Sequence, residues 1–303
     1  MSLLGIRHLP REEIEDYVAR ARVYQKAAVS GEPVPQIEGS TCLLFFEVST
    51  RTRISFERAA RRLGLQCTYI APSTSSISKG ESFRDTVATL DYEGLDCLII
   101  RHPCAGTAHQ AAEVFSGTVV NGGDGCHEHP TQALADLMTV LSRKGGTEGL
   151  VVAIVGDIVH SRVARSNAWC LTKMGAHVRF VAPATLLPKD PSAFPVEVHD
   201  NLAAGLADAD VVMALRLQRE RMNGSDLGSL TEYTEHFQVN GTSLALAKED
   251  VLVMHPGPMN RGVELDSSAA DSPGSTIHEQ VENGVYIRMA VLAKEFEKLR
   301  GDA

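Results

Sequence analysis

The chain has 303 residues, 22% of them charged and 44% apolar, with a formal net charge of −9. That length exceeds one ordinary core and fits two domains. The acidic balance argues against a nucleic-acid binder, and no apolar run nears the ~20 residues of a membrane span. Anionic small substrates stay open, because the potential of a site is set locally.

The N-terminus, MSLLGIRHLPREEIEDY, lacks an apolar signal-peptide core, so a cytoplasmic location is expected. Residues 10–28 read as an amphipathic helix opened by Pro10, with acids in its first turns. A loop, GEPVPQIEGST, follows. Strands are then predicted near 42–46, 66–70, 96–100 and 117–120, alternating with helices near 52–63, 82–92, 107–115 and 130–143. The polar, glycine-rich run from Arg143 to Gly149 marks a domain boundary. Beyond it the alternation resumes, with strands near 150–155, 177–181, 210–214 and 251–254 and a last helix near 277–299. The expected fold class is α/β: two doubly wound domains, each a mostly parallel sheet with helices on both faces. Residues 1–142, plus the C-terminal helix 277–303, would form one domain and 143–276 the other. None of the six cysteines forms a CxxC pair, so reduced, mostly structural thiols are expected.

Ligands of doubly wound sheets bind beyond the carboxyl ends of strands, and the polar motifs of this chain follow its apolar runs. Ser49-Thr50-Arg51-Thr52-Arg53 lies at a strand-to-helix turn, where open N–H groups, hydroxyls and guanidinium suit a phosphate; a capped helix with solvated arginines is the alternative. Ser75 and Lys79 belong to a hydroxyl-rich loop that could close over a phosphate, or is simply an ordinary exposed loop. Arg101 follows the run Leu98-Ile99-Ile100, placed for a carbonyl or phosphate oxygen, with a surface ion pair as the alternative. His129 and Gln132 flank a helix start and can face one point, where imidazole polarises a carbonyl. The pair His127/His129 alternatively suggests a metal, but no third ligand stands at matching spacing, and none is expected. Gly156-Asp157 offers one glycine where a dinucleotide turn needs three. Arg162, opening the next helix, suits a carboxylate instead. Arg216 and Gln218 in an extended segment point the same way and form a second carboxylate clamp; a plain charged helix start is the alternative. His255-Pro256-Gly257-Pro258 is a stiff turn whose carbonyls can face a ligand, or simply a turn.

In order and spacing, STRTR, the SxxxKGE loop, RHP, HPTQ, GDxxxSR, RLQRER and HPGPMNR resemble the catalytic chains of the aspartate carbamoyltransferase family over roughly residues 40–290. STRTR with HPxQ is shared by carbamoyltransferases. The RxQ motif and the HPxP loop point to aspartate rather than ornithine, whose branch would carry SMG and HCLP. The resemblance implies a carbamoyl phosphate-binding first domain and an aspartate-binding second one. It implies that Ser49, Thr50, Arg51 and Thr52 hold the phosphate, and that Thr52, Arg101 and His129 address the carbonyl oxygen. Gln132 and the carbonyls of Gly257 and Pro258 would receive the amino group. Arg162, Arg216 and Gln218 would hold the carboxylates of aspartate. Ser75 and Lys79 would reach a neighbouring subunit, implying a homotrimer with shared active sites. No cofactor is implied; a regulatory chain or dihydroorotase is a possible partner. The rival readings are a carbamoyltransferase for another amino acid and a non-catalytic homologue that binds carbamoyl phosphate.

Overall fold

The computed structural model describes residues 2–71, 80–222 and 227–301. Its elements run α1 (Arg11–Ser30), β1 (Ser40–Phe45), α2 (Thr50–Arg62), β2 (Gln66–Ile70), α3 (Phe83–Tyr92), β3 (Cys97–His102), α4 (Thr107–Ala112), β4 (Thr118–Asp124), α5 (Pro130–Lys144) and β5 (Val151–Gly156). They continue with α6 (Arg162–Lys173), β6 (His177–Val181), β7 (Glu197–His199), α7 (Leu202–Leu206), β8 (Val211–Leu215), α8 (Leu230–Phe237), α9 (Gly241–Leu244), β9 (Leu252–Met254), α10 (Ser267–Ala270) and α11 (Ile277–Arg300). The chain divides into two compact units: Met1–Ala135 with Glu282–Ala303, and Asp136–Val281. The changeovers fall inside α5 and α11, so two helices each contribute to both units.

The first unit holds a four-stranded sheet in the order β2-β1-β3-β4, every pairing parallel. The central strands β1 and β3 carry the apolar runs 42–45 and 97–100, buried between helices, whereas the edge strand β2 is exposed at Gln66, Cys67 and Thr68. Cys42, Leu44, Leu98, Ile100 and Val119 are buried against Val87, Leu90, Ala108 and Ala111 of the helices. Helix α11 joins this unit through buried polar contacts with α1 and β4. Tyr17 Oη donates to Glu295 Oε1 at 2.8 Å, and Thr118 Oγ1 donates to Glu295 Oε2 at 3.0 Å.

The second unit holds a five-stranded parallel sheet in the order β7-β6-β5-β8-β9. Ala153, Val155, Val181, Val212, Ala214 and Val253 form its core with Leu206, Val239 and Leu265. The three-residue strand β7 and the short helices α7, α9 and α10 have too few periodic residues to show in the sequence. The three helices are held by capping side chains: Asn201, Asn240 and Asp266 each accept a backbone N–H three residues on. The helix predicted near 107–115 ends earlier, at Ala112. Residues 216–218, open to either an extended or a helical reading, form no helix.

All six cysteines are free; Cys42, Cys97 and Cys170 are buried. Among the described residues no helix is long and apolar enough to cross a membrane.

Candidate active site

In the first sheet the chain reverses its direction of growth between β1 and β3, and such a switch point opens a crevice at the strands' carboxyl ends. The segment leaving β1 carries STRTR, and Arg101 is the next-to-last residue of β3. Ser49 is the N-cap of α2, but its hydroxyl makes no capping bond, so the helix start is not closed by its own side chain. Arg51 is exposed there. Arg53, the second guanidinium of the run, is used structurally: it donates to Glu57 at 2.7 Å and lies 3.7 Å over the Tyr69 ring. Arg101 is largely buried, its Nη1 donating to Gly122 O at 3.0 Å and its Nε 3.4 Å from Glu47.

His129 reaches the same region from the turn after β4. It is 4% exposed, and its Nε2 lies 3.5 Å from Oγ1 of Thr52, itself 6% exposed. Asp124, the last residue of β4 and fully buried, builds that turn. It accepts from Asn121 Nδ2, Gly106 N–H and Glu128 N–H, and pairs with His127 at 3.0 Å. Burial pushes the Asp124 carboxyl up, but these donors and His127 outweigh it and hold it below its ordinary value. Glu128 accepts the N–H groups of Ile6 and Arg7. The members of the His-x-His pair thus have separate partners. Among the described residues no group of three or more His, Cys, Asp or Glu is arranged to hold a metal. Gln132 is half-buried in the first turn of α5, its N–H donating to His129 O at 3.0 Å.

In the second sheet the switch point falls between β5 and β8. Gly156 closes β5 at φ 128°, and a Cβ there would lie 2.5 Å from Leu215 O. This glycine therefore serves strand contact rather than a nucleotide turn. Arg162, 5% exposed, opens α6, with Ser161 as its cap. Arg216 follows β8 and is ion-paired with Glu220, four residues on. Leu217 is fully buried, and Gln218 Nε2 donates to His160 O at 2.9 Å. The expected Arg216/Gln218 clamp is therefore engaged internally here: one member with a carboxylate, the other with a backbone carbonyl. Buried Asp157 ties the two segments, accepting His160 N–H on one oxygen and Gln218 N–H on the other.

After β9 comes the turn of Gly257 and Pro258. Gly257 sits at φ 67°, a left-handed conformation that costs glycine nothing. Ser75 and Lys79 lie outside the described residues. Sequence reasoning missed the acidic side chains that order these turns: Glu47, Asp124, Asp157 and Glu264. An acid just past an apolar run is a faint signal for such a role.

Two parallel sheets, each with basic side chains beyond the carboxyl ends at its switch point, define an α/β enzyme for small anionic substrates. Residues 1–142 match the model of the aspartate/ornithine carbamoyltransferase carbamoyl-P binding domain, and residues 148–294 match that of the Asp/Orn binding domain. The chain belongs to the aspartate/ornithine carbamoyltransferase family. It is 53% identical over 292 residues to the aspartate carbamoyltransferase catalytic subunit of Sorangium cellulosum, covering 96% of this chain and 91% of that one. The corresponding subunit of Methylorubrum populi is 51% identical over 294 residues, with coverages of 96% and 93%. Among solved structures, ornithine carbamoyltransferase from Pyrococcus furiosus superposes with a TM-score of 0.88 at 29% identity, covering 96% of each chain. Aspartate transcarbamoylase from Trypanosoma cruzi, in complex with carbamoyl aspartate and phosphate, gives 0.86 at 31% identity, covering 96% of this chain and 94% of that one.

Proposed function

We propose that this chain is the catalytic chain of an aspartate carbamoyltransferase, transferring the carbamoyl group of carbamoyl phosphate to the α-amine of L-aspartate. The products are N-carbamoyl-L-aspartate and phosphate, an early step of pyrimidine biosynthesis. The observation that carries the reading is the convergence at the first switch point: the uncapped start of α2 with Arg51, the Thr52–His129 contact, and Arg101. Fold alone does not separate aspartate from ornithine, since a solved structure of each kind superposes well. The dicarboxylate is favoured by Arg162, Arg216 and Gln218 and by relatives near 50% identity.

In this reading Ser49, Thr50, Arg51 and Thr52 hold the phosphate at the start of α2. Thr52, Arg101 and His129 polarise the carbonyl. Gln132 and the carbonyls of Gly257 and Pro258 receive the amino group. Arg162, Arg216 and Gln218 hold the two carboxylates, with substrate displacing Glu220 from Arg216. The neutral amine forms the N–C bond, negative charge collects on the carbonyl oxygen, and the C–O bond to phosphate breaks. The proton lost by the amine leaves with phosphate. Alignment of two anions supplies about 7 kcal/mol of the barrier, at the low end of the usual proximity range. Each donor to the oxyanion adds about 3 kcal/mol. The assembly is a cytoplasmic homotrimer in which Ser75 and Lys79 complete a neighbour's site.

The test is product formation from carbamoyl phosphate with L-aspartate and, separately, with L-ornithine. N-carbamoyl-L-aspartate and phosphate in equal amounts, with ornithine inert, are expected. Carbamoylation of ornithine, or of neither, removes the reading.

A further inference from the structure

The turn after β9 is held from within by side chains that have no part in the proposed chemistry. His255 is 1% exposed, and its Nδ1 accepts the N–H of Gly257 at 2.8 Å. The ring proton is therefore on Nε2, which donates to Glu264 Oε1 at 3.2 Å. The same carboxylate oxygen accepts the N–H of Asn260. The N–H of His255 donates to Gln280 Oε1 at 2.9 Å, and Gln280 Nε2 donates to Asp136 Oδ1 at 2.8 Å. Residues 256 and 258 are prolines and have no N–H to give. The N–H groups of residues 255, 257 and 260 thus all point into the protein. Among the described residues, nothing donates to the carbonyls of Gly257 or Pro258.

Glu264 is 1% exposed, and among the described residues its second oxygen has no hydrogen-bond partner. A buried carboxylate satisfied on one side only is costly to folding. Its negative charge reaches the buried Tyr233, whose phenol is pushed up by burial and then by Glu264 and Asp157. Packing alone would be served better by an apolar residue of similar volume. The charge does strengthen the two bonds that fix the turn, since hydrogen bonds to an ionised acceptor are the stronger ones.

We propose that Glu264 is a positioning residue of the transfer reaction. Through the His255 ring and the Asn260 N–H it fixes the 255–260 turn so that the carbonyls of Gly257 and Pro258 are offered to the amino group of carbamoyl phosphate. This rests on the reading that those carbonyls receive that group.

The test is steady-state kinetics of the full chain with Glu264→Ala, Glu264→Gln and Gln280→Leu. Glu264→Ala raises KM for carbamoyl phosphate about tenfold, the worth of one lost charge-assisted bond, with KM for aspartate little changed. Glu264→Gln keeps an acceptor oxygen but loses the charge, and gives a KM between those of the parent and Glu264→Ala. A purely structural role would lower the melting temperature and the activity per milligram and leave KM alone; that pattern overturns the proposal. So does a Gln variant as impaired as Ala. If Glu264→Ala does not fold, Gln280→Leu decides, because it frees the same turn from the opposite side and must raise the same KM. Arg51→Ala serves as the control. If it binds carbamoyl phosphate normally, the site reading itself fails; if it does not and Glu264→Ala does, only the positioning role fails.

Discussion

Thr52 Oγ1 and His129 Nε2 stand 3.5 Å apart, though 77 residues separate them in the chain. That distance is at the outer edge of hydrogen bonding, so neither group is held tightly by the other. In the proposed reaction both address one carbonyl oxygen as negative charge builds on it. Replacing His129 by Asn is expected to lower kcat by about 10²–10³ with the fold intact, the usual cost of an oxyanion donor. Thermal melting and turnover on the same sample check this; unchanged turnover would take His129 out of the chemistry.

Arg216 is paired with Glu220, and both are partly exposed, so the bond contributes little to stability, about 0–1 kcal/mol. Arg216→Ala should therefore leave the melting temperature nearly unchanged while raising KM for aspartate at least tenfold, by the loss of a charge-assisted contact. An equal rise for carbamoyl phosphate would contradict the assignment to aspartate.

Acid should destabilise the first unit in two stages. Burial holds the His102 imidazole below its ordinary pKa, with Glu47 only partly opposing. A depressed histidine contributes full stability above the unfolded value of about 6.5 and loses it as pH falls toward the folded value. Asp124 is depressed too, so its contribution is present above the unfolded carboxyl value of about 3.9 and is lost as pH falls through the folded one. Denaturant melts across this range should show a first loss that His102→Gln flattens. A second loss, below pH ~4, should be flattened by Asp124→Asn. A single acid transition indifferent to both changes would contradict this account.

Glu295 of α11 is fully buried against α1 and β4, with Tyr17, Thr118 and, from its own helix, Lys298 donating to it. Removing one donor by Tyr17→Phe should cost about 1–2 kcal/mol, and removing the acceptor by Glu295→Ala about 3–5 kcal/mol. Urea melts measure both. A Glu295→Ala loss no larger than that of Tyr17→Phe would mean that α11 is not held by this contact.

Thiol reagents should separate the cysteines. Burial pushes the Cys42 thiol up to about 12 and Cys97 higher still, whereas Cys104 is exposed. In the native protein at pH ~8, Cys104 should label first and Cys42 and Cys97 only on unfolding. Fast labelling of Cys97 would show that β3 opens locally.

The sequence by itself determined the parallel architecture and the identity of the basic side chains that follow its strands. An apolar run covered on both faces, and a helix opened by a cap and an arginine, are local facts that survive without any neighbour. Strand order is not local. Only the tertiary structure set β1 beside β3 and β5 beside β8, and so decided which loops share a crevice. It also decided what each polar side chain does. Arg53 is spent on Glu57 and Tyr69, and Arg216 is already matched by Glu220. Buried acids such as Asp124 and Glu264 act only through partners that folding brings to them, because a carboxylate acquires its role from the donors around it.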